Sequence, residues 1–462
     1  MVVDALPQKR RSLQRKSQTP MCQRRNSHID MQETLLYCVG AALNFAAMSS
    51  TTLLRFAAAP TPFGSDALPT LAPYTSAHNP VLLAQLSTQF AAGAADLDAS
   101  AEFPHDNFAT LQQHGLVGLL APAALGGSAA TLGTARRVIA AVAKGEPATA
   151  LVLTMTYLQH LALRSMDCRW PVAVREQVLR DGVQNGALIN ALRVEPALGS
   201  PARGGLPDTV GTATATGWTL NGHKLYTTGI AGLRWLSVWG RTDEATPRVG
   251  NFLVPRDAPG VRVVESWNHL GLRASGSHEV VFENVHIAPE FAVDLRPPAG
   301  WSESADLAKH YATQQAWMSV LLGSIYDAVA RAAYDWLCEF LRTRSPTNLG
   351  APLANLPRVQ EHVGEIAALL HSNRVLLAHA GREVDAGRTP SPSESGLLKY
   401  TTTNNAIRAV EIALQLSGNH GLTRHNPLER HYRDVLCGRV HTPQNDSALV
   451  AAGKSALQAT ST

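Results

Sequence analysis

The sequence is short of the features that mark several protein classes. Only five of its 462 residues are cysteine, and they are scattered along the chain without a Cys-x-x-Cys pair. This argues against a thiolate metal site and favours a reducing compartment, so we expect a cytoplasmic protein. An apolar run at residues 35–48 is too short to span a bilayer. We therefore expect no membrane partner.

Signatures of nucleotide and metal binding are also missing. No G-x-G-x-x-G follows a strand pattern, which argues against a nicotinamide-binding βαβ unit. The stretch "ALVAAGKS" at 448–455 has Ala448 in place of the first glycine of a phosphate loop and lies in a helical pattern, so we interpret it as helix. His420, His425 and His431 lie close together without metal-ligand spacing, and no metal site is predicted.

Positive charge is concentrated at the start of the chain. Residues 1–30 hold seven Lys and Arg against two Asp, a net +5, which leaves about −1 of the formal +4 for the remainder. The charge therefore predicts no nucleic-acid partner. Residues 1–75 are predicted to be a disordered or doubtful extension, with Met48 as a plausible start. A targeting segment is the alternative.

Hydrophobic periodicity divides the rest of the chain into three parts. Residues 76–187 show helical spacing, residues 188–297 form short β-rich runs between turn signals, and residues 298–462 return to helical spacing. The Asn221–Gly222 pair predicts a hairpin turn inside the second part. We predict an α+β multidomain fold, with an all-α domain, a β-barrel-like middle domain and a C-terminal four-helix bundle.

Five segments in this order resemble the acyl-CoA dehydrogenase superfamily of flavoproteins. The matching segments are "LQQHGLVGLLAPAALGG", "RVEPALGS", "LNGHKLYTTG", "WNHLGLRASGSHEVVFENVHI" and "LQLSGNHGLTRHNPLERHYRD". No single segment is specific, but the ordered set covers residues from about 79 to 457. The resemblance implies the three-domain fold predicted above and bound FAD, with FMN as a possible substitute.

The resemblance also implies which residues hold the cofactor. Tyr226 matches the position whose aromatic ring packs on the flavin ring system, and Thr228 matches a hydroxyl that bonds its N5/O4 edge. Ser200 matches a serine aimed at flavin phosphate or substrate. The positions that clamp the pyrophosphate and adenosine across a subunit interface match Arg344, Gln360, Gln415 and Gly418. Arginine suits such a position because its planar fork donates two parallel bonds to phosphate.

One departure from the family concerns catalysis. A dehydrogenase needs a carboxylate base for the proton α to the thioester, yet Thr442 stands at the usual Glu position. The alternative position, early in the first bundle helix, falls in "YATQQAWMSV", which contains no carboxylate. We predict that His441 or His420 substitutes, because an imidazole titrates near neutral pH.

The resemblance implies an FAD-dependent oxidoreductase that desaturates an acyl-CoA or acyl-carrier thioester. Electrons would then pass to an electron-transfer flavoprotein, and the chain would assemble as a homotetramer, a dimer of dimers. Two alternatives stay open, because the usual Glu is missing. The first is a two-component flavin monooxygenase supplied by a flavin reductase, since "YTTG" is similar to the corresponding strand of that branch. The second is a non-catalytic flavin-binding relative.

Overall fold

The computed structural model describes residues 73–198, 205–301 and 305–458. Most of the predicted N-terminal extension, residues 1–72, lies outside this part of the chain. Ser200, predicted to contact flavin or substrate, also lies outside it.

Six helices form the first part of the described chain. They are α1 (Pro73–His78), α2 (Pro80–Ser100), α3 (His105–Gln113), α4 (Leu132–Gly145), α5 (Pro147–Arg164) and α6 (Val172–Gln184). The side chain of Asn79 caps α2 by accepting hydrogen bonds from the backbone N–H groups of Val81 and Leu82. Helix α5 is buried on nearly all sides, which explains the almost continuous apolar run in its sequence.

Eight strands follow and form one sheet. They are β1 (Leu188–Leu192), β2 (Val210–Thr214), β3 (Gly217–Lys224), β4 (Leu233–Thr242), β5 (Val249–Pro255), β6 (Val261–Val264), β7 (Glu279–Ile287) and β8 (Ala292–Arg296). The strand order is β6-β7-β3-β2-β4-β5-β8, and β1 pairs with β4 in parallel. Strands β2 and β4 also run parallel, and the remaining pairs are antiparallel. The sheet places the end of β1 beside the middle of β4.

The prediction of a hairpin turn at Asn221–Gly222 is wrong. Both residues lie inside β3, and the chain reverses before Gly217 instead, between β2 and β3. Asn221 bonds across the sheet to Asn284, at a register irregularity between β3 and β7. Glycine is required at 222 because a Cβ there would lie 2.4 Å from the hydroxyl oxygen of Thr209.

Helices return after the sheet. They are α7 (Ala305–Thr343), α8 (Pro357–Asp385), α9 (Pro392–Ser417), α10 (Asn419–Leu422), α11 (Leu428–Leu436) and α12 (Asn445–Gln458). Ser391 and Glu394 form a capping box at the start of α9. The "ALVAAGKS" stretch lies within α12, which confirms that it is helix and no phosphate loop. Within the described residues, no helix is long and apolar enough to cross a membrane.

Helix α8 buries only a narrow stripe of side chains. The stripe consists of Ile366, Leu370, Asn373, Leu377 and Gly381. On another face, Val375 and Leu376 are 50% and 36% exposed. In the single chain, α8 therefore has exposed apolar side chains outside its buried stripe.

Candidate functional site

The chain makes an irregular turn directly after β3. Tyr226 has a φ of +55°, a left-handed conformation that is uncommon for a bulky residue. The turn is held because the backbone N–H of Thr227 donates to His278 O (3.0 Å) and that of Gly229 donates to Ser275 O (2.8 Å). Tyr226 is nevertheless 55% exposed, with its ring edge-on to His269. An aromatic face held open in this way is suited to stacking against a planar ligand.

The hydroxyl of Thr228 is oriented by its neighbours. Ser277 Oγ donates to Thr228 Oγ1 over 3.0 Å, and Ser277 is itself bonded to Ser275. Asn190 Nδ2 donates to the backbone carbonyl of Thr228 (3.0 Å). Because the Thr228 oxygen accepts, its own proton is left to donate to a ligand. Sequence reasoning missed Ser277, which lies 49 residues away along the chain.

A buried ion pair fixes the loop next to this turn. Glu195 is 1% exposed and accepts from Lys224 Nζ (2.5 Å), while the backbone N–H of Leu225 donates to Val194 O (3.0 Å). Lys224 also donates to Trp239 O over 2.6 Å. Burial lowers the pKa of Lys224 to about 8. Burial alone would raise the pKa of Glu195, but hydrogen bonds from Lys224 and Thr209 hold it below its ordinary value.

Arg193 is a second residue that sequence reasoning missed. Its guanidinium lies 4.9 Å from the centre of the Trp239 ring, and the residue as a whole is exposed. Within the described residues this guanidinium has no hydrogen-bond acceptor, and partial burial lowers its pKa. The only sequence signal was its place beside Val194, where the family has Thr. An accessible cation without an acceptor is available to a ligand.

Two predicted cofactor residues lie at one end of the helical bundle. The carbonyl of Arg344 accepts from Leu353 N (2.9 Å), at the start of the short turn Leu353–Asn355. Gln360 Nε2 donates to Ala354 O of the same turn (3.0 Å). The side chains of Arg344 and Gln360 are exposed. The structure therefore brings these two residues to one surface.

Three more predicted residues lie near that end. Gln415 is exposed in the last turn of α9, and Gly418 follows the helix with a φ of +54°. The ring of His420 lies 5.1 Å from that of Phe340, in the last turns of α7. His420 lies in α10, directly after α9, so its contact with Phe340 brings the end of α9 next to the end of α7.

The two histidines predicted to be catalytic lie far apart within one chain. His441 Nδ1 hydrogen-bonds the hydroxyl of Tyr326, whereas His420 contacts Phe340. Tyr326 and Phe340 are 14 positions apart on α7, which is about 21 Å along the helix. Burial, followed by the nearby charge of Lys399, lowers the pKa of His441 to about 4. His420 is exposed, and so is Thr442.

Three carboxylates near these loops are occupied in capping and pairing. Besides Glu195, Glu146 caps α5 by accepting from the backbone N–H of Ala148 and Thr149, and it is 5% exposed. Asp434 is 3% exposed and accepts from Leu272 N (2.7 Å). Burial raises the pKa of Asp434 to about 7. Each carboxylate is sealed inside the protein, so none of them faces an open site.

Comparison with known proteins identifies the family. Profiles of the acyl-CoA dehydrogenase N-terminal, middle and C-terminal domains match residues 84–163, 194–285 and 307–442. The acyl-CoA dehydrogenase homologue YdbM of Bacillus subtilis (strain 168) is 32% identical over 80% of this chain and 93% of its own. The chain belongs to the acyl-CoA dehydrogenase superfamily. The predicted fold class is thereby confirmed, and the chain is a flavoprotein-family oxidoreductase.

Other similar proteins differ in their named activities and ligands. L-evernosamine nitrososynthase of Micromonospora sp. is 30% identical over 80% of this chain and 88% of its own. A solved structure of KijD3 with FMN and a dTDP-linked amino-keto sugar is 27% identical. It covers 86% of this chain and 96% of its own, with a TM-score of 0.72. Butyryl-CoA dehydrogenase from Megasphaera elsdenii shares the fold, with 20% identity, a TM-score of 0.71 and coverage of 81% of this chain and 95% of its own.

The residues described above fit a flavin. Tyr226 offers an exposed aromatic face in a turn held by backbone hydrogen bonds. Thr228 offers a donor that Ser277 has already oriented. A flavin ring needs both an apolar face and an aimed donor.

Proposed function

We propose that the protein is the oxygenase component of a two-component flavin-dependent monooxygenase. The sequence prediction ranked this reaction second, after desaturation of an acyl thioester. When bound in reduced form, the flavin supplies two electrons to dioxygen, so one oxygen atom enters the substrate and the other leaves as water. A separate flavin reductase would deliver the reduced flavin.

The lack of a carboxylate at both family positions for the base carries this proposal. Desaturation of a thioester needs a carboxylate beside the α carbon, and its loss typically costs about 10²- to 10⁴-fold in rate. Thr442 occupies one family position for that base, and residues 311–320 contain no carboxylate at the other. Glu146, Glu195 and Asp434 are buried and engaged in other bonds. Insertion of an oxygen atom does not require removal of an α proton.

Each of the chain's own residues at the site would have a separate role in binding the flavin or the substrate. Tyr226 would hold one face of the flavin ring, and Thr228 would donate a hydrogen bond to its edge. Arg193 would place a positive charge beside the ring or the substrate, because its guanidinium has no acceptor among the described residues. Of the two predicted catalytic histidines, His420 is exposed, whereas His441 is half-buried and its ring is hydrogen-bonded to Tyr326.

We further propose that the site is shared between copies of the chain. The resemblance assigns Arg344, Gln360, Gln415 and Gly418 to the adenosine half of a neighbouring copy's cofactor. The exposed apolar residues of α8, Val375 among them, offer surface for such assembly. A dimer of dimers is the arrangement expected from the family.

The test compares two reactions with one protein preparation. The first supplies FMN or FAD, a flavin reductase with NADH, and ¹⁸O₂, with amino-sugar nucleotides and indole as substrate probes. The second mixes flavin-loaded protein with acyl-CoA thioesters of graded chain length in the absence of oxygen. We expect ¹⁸O in a product of the first reaction and no bleaching of the flavin in the second. Bleaching by an acyl-CoA with electrons passed to an external acceptor would overturn the proposal.

An acyl-CoA dehydrogenase coupled to an electron-transfer flavoprotein is the second candidate. The match to YdbM, at 32% identity, favours it. The variant Thr442→Glu separates the two candidates. It should raise anaerobic bleaching by an acyl-CoA only if the thioester's α carbon lies beside position 442. Thr442→Gln is the matched control, because the glutamine side chain is similar in shape to glutamate but has no carboxylate that could act as a base.

A further inference from the structure

A cavity of about 510 Å³ lies between the start of α4 and the last turns of α8. None of the predicted flavin residues that the structure describes lines it. Arg382 and Gln360 are 22 positions apart on α8, so this cavity lies about 33 Å along the helix from the surface that carries Gln360. It is therefore separate from the adenosine end of the candidate flavin site within one chain.

Arginine is the dominant charged residue of the cavity wall. Arg136 and Arg137 reach it from α4, and Arg382 reaches it from α8. Of the described residues that line it, only Asp385 is acidic. Its two oxygens accept from the backbone N–H groups of Leu132 (2.8 Å) and Gly133 (2.9 Å). The carboxylate is thus bonded to the first turn of α4 rather than to a guanidinium.

Two of the three guanidinium groups have no acceptor among the residues that the structure describes. Arg137 donates to the Thr134 hydroxyl (3.2 Å), but within the described chain neither Arg136 nor Arg382 forms a hydrogen bond or ion pair through its guanidinium. The Nε of Arg136 is fully buried without a partner. Burial, then the like charge of Arg137, lowers the pKa of Arg136. An unpaired buried donor is costly, so an acceptor that enters the cavity would stabilise the protein.

The charge of Asp327 on α7 opposes the lowering of the pKa of Arg136, but the two side chains form no hydrogen bond. Asp327 of α7 is paired with Arg331 at 2.7 Å, and Arg331 also donates to Leu370 O. Among the described lining residues, three arginines stand against one aspartate, so this part of the wall has a net positive charge.

We propose that this cavity binds an organic phosphate, with Arg136 and Arg382 as the phosphate ligands. The fork of each guanidinium can donate two parallel hydrogen bonds to phosphate oxygens. The volume exceeds what a bare phosphate needs and lies in the range of small-molecule sites. Ala129, Ala130 and Ala378 supply an apolar part of the wall. The ligand class is a small molecule with one or two phosphoryl groups on an organic group.

The experiment is calorimetric titration of flavin-loaded protein with ADP, using AMP and inorganic pyrophosphate as comparison ligands. We expect one ADP per chain, bound at least about 10-fold more tightly than pyrophosphate. Arg136→Gln and Arg382→Gln should each weaken ADP binding by about 10-fold or more, because each removes a charge-assisted hydrogen bond. Arg262→Gln is the matched control, since Arg262 is exposed and paired with Glu283 on the sheet. It should leave binding within about twofold.

Further variants and ligands separate this site from the flavin site. ADP resembles half of FAD, so it could also compete at Arg344. Loss of ADP binding in Arg344→Gln but not in Arg136→Gln would overturn the proposal. Equal affinity for ADP and pyrophosphate would overturn the proposal as well, because the cavity would then bind the anion without recognising the organic group. Failure of the monooxygenase test would leave this result unaffected, since neither arginine lies in the candidate flavin site.

Discussion

Replacement of Lys224 by Met should destabilise the protein strongly and loosen the candidate flavin site. Glu195 would stay buried without its counter-charge, keeping only hydrogen bonds from Asp208 N, Thr209 N and the Thr209 hydroxyl. Breaking one partner from a buried ion pair costs about 3–5 kcal/mol. We expect the free energy of unfolding of Lys224→Met to fall by that amount, measured by urea denaturation followed by tryptophan fluorescence.

The double variant Glu195→Gln/Lys224→Met is the control. A neutral amide can still accept from Thr209, and it leaves no unpaired charge in the interior. We expect it to recover about 2 kcal/mol of the loss, the scale on which contacting residues couple. Flavin affinity should be highest in the wild type, lower in the double variant and lowest in Lys224→Met. The reason is that Glu195 and Lys224 flank Val194 and Leu225, whose hydrogen bond leads into the Tyr226 turn. A Lys224→Met protein within about 1 kcal/mol of the wild type would refute this reasoning.

Three other predictions follow from the described geometry. Thr228→Val should weaken flavin binding about fivefold, the value of one neutral hydrogen bond of about 1 kcal/mol, whereas Thr228→Ser should keep it; fluorescence titration measures both. Arg344→Gln should weaken FAD binding by about 10-fold or more and leave FMN binding nearly unchanged, because only FAD carries the adenosine half. His160 is fully buried with neither ring nitrogen bonded, and burial lowers its pKa to about 4. The unfolded chain therefore binds more protons as pH falls from about 6.5 towards 4, and stability should drop by about 3 kcal/mol. His160→Leu should remove this residue's share of the pH dependence, measured by urea unfolding at pH 7 and pH 4.5.

Each of these predictions has a result that contradicts it. Equal flavin affinity of the Val and Ser variants would remove Thr228 from the site. Equal losses of FAD and FMN affinity in Arg344→Gln would show that this arginine does not bind the adenosine half. An unchanged slope of stability against pH in His160→Leu would place the acid sensitivity elsewhere. His431, whose pKa burial lowers to about 3, would be the next residue to replace.

Local patterns in the sequence predicted the order of the three structural parts. Helical spacing and β alternation arise from the first few neighbours of each residue, so they can be read along the chain. Local reasoning was wrong at Asn221–Gly222, because the glycine there is required by the close approach of Thr209 and does not form a turn. Family resemblance singled out Tyr226 and Thr228, but their turn conformation came only from the structure.

Tertiary structure decided which distant residues meet. Ser277 orients Thr228 from 49 positions away, and Asp385 caps Gly133 from 252 positions away. It also turned His441 into the bundle towards Tyr326, although the sequence placed this histidine beside the expected catalytic position. Period and composition carry no information about such contacts, because they depend on how whole helices and strands pack. Long-range packing therefore determines which side chains meet in the candidate site. The helices and strands that hold those side chains could be predicted from local sequence patterns.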